Sequence, residues 1–97
     1  MLDLRGYARL AEYLKLSDKM IAEASKESVC EAARLLAIQL AHYRRKFGDV
    51  PTDEVLDLLA RNTLNEDEAG WVADGLEELC VALATVPEVG GPPTSTH

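Results

Sequence analysis

The chain has 97 residues, 47% of them apolar and 28% charged, with a formal net charge of −7. A single domain of this size builds one core without staples, its composition is that of a globular and not a disordered chain, and its apolar runs are too short and too often broken by charge to span a bilayer. The charge is uneven, with nine Lys/Arg against seven Asp/Glu in residues 1–50 and Arg61 alone against ten acids in residues 51–97, which argues against nucleic acid as the main partner and leaves open a basic protein or the basic end of a second copy.

A first helix is predicted over about residues 3–15, where Leu4, Tyr7, Ala8, Ala11 and Leu14 recur at helical spacing and define an apolar face. Gly6 weakens its first turn. The stretch LKLSD predicts a break, with Ser17 as N-cap and Leu16 packing on Ile21. Residues 18–47 follow as one long helix, or as two if Ser25 and Ser28 in ASKES turn the chain by bonding to local backbone. From Val29 the pattern Val29, Ala33, Leu36, Leu40, Tyr43, Phe47 alternates spacings of four and three, a heptad-like seam. Gly48 supplies a left-handed stop and Pro51 prevents continuation.

A third helix is predicted after Thr52 as N-cap, with Asp53 and Glu54 in its first turn and Val55, Leu56, Leu59 and Leu64 on its apolar side. A fourth begins at Asn65, which forms a capping box with Glu68, and runs to about Thr85 before Pro87. Its stripe is Ala69, Val72, Ala73, Leu76, Leu79, Cys80 and Leu83. Residues 87–97, rich in Pro, Gly, Ser and Thr, are expected to be a disordered tail to a helical domain of residues 1–86.

In AHYRRKFGDVP, Arg44, Arg45 and Lys46 meet the negative end of the helix dipole, Gly48 caps and Pro51 stops. The whole stretch thus reads as a helix end; the competing reading is a small anion-docking or acidic-protein-docking site. His42 has Glu31 on roughly the same face but about 16 Å away, too far for an acid–base pair. His97 falls in the tail. Cys30 and Cys80 sit in apolar helical segments without metal-site spacing, and are expected to be buried, reduced and unreactive. No nucleophile, phosphate loop or metal motif is present, so no catalytic residue, cofactor or metal is expected, and the chain is not read as an enzyme.

The segment RLAEYLKLSDKMIAEAS resembles the helix-turn-helix of bacterial regulators over about 17 residues. It departs from that pattern in two respects. Lys15 stands where a turn glycine is usual, and the would-be recognition helix offers Asp18, Lys19, Glu23 and Lys26, which sum to zero.

The helices carry more apolar surface than one stripe each. Leu35 and Ile38 lie off the Val29–Phe47 seam, Trp71 lies off the Leu76 stripe, and Gly75 beside it leaves room for close approach. These four residues are the predicted protein interface, homodimeric by two-fold symmetry. Asp53, Glu54, Asp57, Asp74, Glu77 and Glu78 are the predicted acidic face for a protein partner. The sequence thus predicts an all-α bundle of four helices, or five if residues 17–47 divide. Its expected role is that of a cytoplasmic, non-catalytic interaction or regulatory protein that forms a homodimer, with no membrane and no nucleic acid as partner. The alternative is a DNA-binding regulator using residues 8–25, with an enzyme as a distant third reading.

Overall fold

The computed structural model describes residues 5–86. They form four helices, α1 (Arg5–Glu23), α2 (Lys26–Phe47), α3 (Thr52–Ala60) and α4 (Glu66–Thr85), with no strand among the described residues. The fold is the all-α bundle predicted from periodicity. The predicted tail, His97 and Leu4 of the predicted first face lie outside the described residues.

The last helix is the centre of the bundle. Both α1 and α2 pack on α4, and α3 touches the rest only lightly. The α4 stripe is the predicted one: Ala69, Ala73 and Cys80 are buried, and Val72, Leu76, Leu79 and Leu83 are half-buried. Its start is also as predicted. Asn65 Oδ1 accepts from the Glu68 amide at 2.8 Å, and Glu68 Oε1 accepts from the Asn65 amide at 2.9 Å, which completes the capping box.

The first helix differs most from expectation. It runs unbroken from Arg5 to Glu23, so the turn predicted at LKLSD is absent and residues 8–23 form no helix-turn-helix. Ser17 is not a cap. It is buried in mid-helix, and its hydroxyl donates to the Leu14 carbonyl at 3.3 Å, the back-bond that lets a serine stay inside a helix. The face turned inward is also different: Gly6, Leu10, Tyr13, Ser17 and Met20 are covered, whereas Tyr7, Ala8, Ala11 and Leu14 are exposed.

The reason is the crossing with α4. A Cβ added at Gly6 would collide with the Glu66 carbonyl oxygen and stand 3.1 Å from the Gly70 amide nitrogen. Only a residue without a side chain permits that approach. Beyond the crossing, polar groups match across the pair. Arg9 lies 2.9 Å from Asp74 and 3.7 Å from Glu77, and the Tyr13 hydroxyl donates to Glu77 at 2.9 Å. That hydrogen bond, then partial desolvation, holds the Tyr13 phenol above its usual pKa range. At the end of the helix, Glu66 of α4 accepts the Gly6 and Tyr7 amides, and the Tyr7 hydroxyl donates to the Leu64 carbonyl at 2.8 Å.

The second region divides at Ala24–Ser25. Ser25 is the N-cap of α2 and accepts from the Ser28 amide at 3.0 Å, so the two-helix option holds. The covered side of α2 is Ser28, Ala32, Leu35 and Leu36. Leu35, predicted as interface, is therefore half-buried on the side of buried Ala32. The predicted seam is covered only in part. Val29 and Leu36 are half-buried, and every residue from Ala37 to Asp49 is exposed. Thr52 also differs, being the first residue of α3, preceded by Pro51 with no side-chain cap.

The Gly6 crossing yields a contrast between two glycines. Gly6→Ala should lower stability by about 1–3 kcal/mol, the usual cost of overpacking, despite alanine's better helix propensity. At Gly70 an added Cβ meets only the Gly6 Cα at 3.9 Å, an ordinary contact. Gly70→Ala should therefore be neutral or stabilising, and urea midpoints of the two variants check the pair.

Candidate functional site

The residues that fill the interior are small. Ala32, Ala69 and Ala73 are 0% exposed, with Ala82, Ser17 and Ser28 close behind, and Leu58 is the one large aliphatic residue that is buried among the described residues. Twelve large apolar side chains are exposed among the described residues, and most of them fall in three sets.

The first set is a groove. Gly48 has φ +94° and ψ −172°, a conformation essentially reserved to glycine, and its amide donates to the Arg44 carbonyl at 2.9 Å. The chain leaves α2 there, turns at Val50–Pro51, and sends α3 back beside α4. Between these elements lie two adjoining concavities of about 440 Å³ and 370 Å³. Leu40 and Tyr43 of α2, with Val50, Pro51 and Thr52, line the first; Leu58 and Leu59 of α3, with Val72, Gly75 and Leu76 of α4, line the second. Val55 and Trp71 belong to both. Trp71 is 43% exposed, and Tyr43 stacks on Phe47 with ring centres 4.8 Å apart. The second set is Tyr7, Leu14 and Ile21, exposed at heptad spacing along the outer side of α1. The third is Ile38, 69% exposed on the α2 surface.

The predicted interface residues are therefore split. Trp71 and Gly75 come together in the groove, Ile38 lies about 200° round the helix from Leu40, and Leu35 is partly covered. Leu40, Tyr43, Val55 and Leu59 were legible only as seam or core positions; their surplus over what α1 and α3 cover was the available signal.

The predicted acids also separate. Asp74 and Glu77 face Arg9 and Tyr13 on α1. Asp57 is bound by Arg61 at 2.6 Å, and Arg61 also reaches Glu68, which ties α3 to the start of α4. Asp53 and Glu54 line a shallow polar hollow with Arg44 and Asp49, and Glu78 stands at the groove edge. The six do not form one face.

The stretch AHYRRKFGDVP is a helix end. Arg44, Arg45 and Lys46 occupy the last turn of α2, Arg44 lies 3.3 Å from Asp49, and His42 is exposed. Among the described residues no group of three His, Cys, Asp or Glu is placed to hold a metal. Cys80 is buried and burial pushes its thiol pKa up, with Glu77 adding to the effect. Cys30 is only half-buried, unlike the full burial predicted, because it lies at the edge of the α2 side that Ser28 and Ala32 turn inward. The chain matches no protein-family model, no curated protein and no solved structure.

Two outcomes follow for these residues. Gly48→Ala should cost about 1 kcal/mol or more, because an L side chain is strained at that φ, while Arg45→Ala leaves the denaturation midpoint nearly unchanged. Under native conditions a thiol reagent should label Cys30 faster than Cys80, since burial and a raised pKa both suppress the Cys80 thiolate; mass spectrometry of timed aliquots reads the order.

Proposed function

We propose that the protein is a non-catalytic interaction and regulatory protein that self-associates as a homodimer and engages a protein partner. One observation carries this reading: much large apolar surface is left uncovered. Twelve large apolar side chains are exposed among the described residues, while alanines and serines fill the interior. Single exposed apolar residues are ordinary, but contiguous grooves and stripes of them mark surfaces that another molecule covers. Trp71 at the centre of the groove is the residue type most often dominant in interface energetics.

Asp53, Glu54 and Glu78 enter no ion pair among the described residues, so they are available to steer a basic partner. A cytoplasmic setting fits the two free thiols, and no helix among the described residues is long and apolar enough to cross a membrane.

Sedimentation equilibrium tests self-association. A dimer mass is expected at protein concentrations on the order of tens of micromolar, with dissociation on dilution. A single monomer mass across the whole concentration range overturns the reading.

A further inference from the structure

The groove has a knob at one end and a bare floor at the other. Its shared middle is Val55 and Trp71. One helical turn past Tyr43, at the α2 end, stands Phe47, 71% exposed. One turn past Trp71, toward the other end, is Gly75, exposed on the α4 surface with nothing within 4 Å of where its Cβ would be. Phe47 touches Tyr43 on one side of the middle and Gly75 lines the other, so knob and floor lie at opposite ends of the groove. A glycine inside a helix weakens it relative to alanine. The chain's own packing gives no reason for Gly75, whereas a large side chain arriving from outside would.

Charge orders the two ends in the same way. Lys46 lies about 60° round α2 from Tyr43 and makes no ion pair among the described residues. Arg44 beside it is balanced by Asp49, with Asp53 and Glu54 nearby. At the opposite end Glu78 is one turn beyond Gly75 and is likewise without an ion pair among the described residues. A surface with a knob and a cation at one end, and a hole and an anion at the other, is complementary to itself under a two-fold rotation.

We infer that a second copy of this chain seats on the groove about a two-fold axis through Val55 and Trp71, with Phe47 of each copy over Gly75 of the other and Lys46 against Glu78. This rests on the reading that the chain self-associates, and it specifies the face. The two Trp71 side chains come together at the axis, so the sole tryptophan of the chain is desolvated on pairing.

The experiment compares wild type with Gly75→Gln, Glu78→Lys and Lys46→Glu by sedimentation equilibrium and tryptophan emission, with circular dichroism to confirm helicity. Gly75→Gln adds a good helix former in open space, so the monomer keeps its fold, while the dimer dissociation constant rises at least about tenfold, as for a blocked interface centre. Its emission shifts to the red. Glu78→Lys and Lys46→Glu each weaken pairing, and their equimolar mixture restores it, because the mixed pair has opposite charges at both contacts. A wild-type dimer with Gly75→Gln equally dimeric, or with the mixture no tighter than its components, overturns this docking and leaves self-association to another face such as Tyr7–Leu14–Ile21. A monomeric wild type removes both.

Discussion

The approach of α1 to the backbone of α4 at Gly6 governs the rest of the molecule. Where two helix backbones come that close, the contact itself admits only glycine. It sets the face that α1 turns to α4, so Leu10, Tyr13, Ser17 and Met20 are covered and Tyr7, Leu14 and Ile21 are not. Close packing gains dispersion contacts per unit area, but it hides little apolar surface per residue. The set Tyr7, Leu14 and Ile21 is left on the outside by that orientation.

The order of elements was readable because local chemistry fixes helix ends. Asn65 with Glu68, Gly48 with its positive φ, and Ser25 with Ser28 each act within a few residues, so their effect is written where it is felt. Ser17 shows the limit of that logic. The same residue that caps a helix also sits inside one by bonding to the preceding turn, and burial against a neighbour decides between the two. The inward face of α1 was hidden for a related reason. Hydrophobic periodicity points to Tyr7, Ala8, Ala11 and Leu14, but the covered side follows Gly6, Tyr13 and Ser17, which match α4 in size and hydrogen bonding. Trp71 and Gly75 were legible as residues out of place on their helix; that Leu40 and Tyr43 join them depends on where the Gly48 turn sends α3, which no local pattern specifies.

The ion pairs orient more than they stabilise. Arg9 with Asp74 and Arg61 with Asp57 are solvent-exposed, and exposed pairs contribute little once screened by salt. Their value is directional. Arg9 fixes the rotation of α1 on α4, and Arg61, the only cation in residues 51–97, is the clasp that keeps α3 beside α4. An acidic half with one internal cation has a limited capacity to neutralise itself, so most of its field faces solvent.

The hold of Glu66 on the Gly6 and Tyr7 amides has a consequence for how the fold closes. Donor and acceptor are separated by 60 residues, and the Tyr13–Glu77 bond spans 64. Helix α1 thus has its docking surface on α4, the described helix farthest from it in the chain. Until α4 has formed, α1 lacks both the Glu66 carboxylate and a partner for Gly6, and short unsupported helices are marginal in water. Until then the inward face of α1 stays bare, and non-local closure of this kind slows folding.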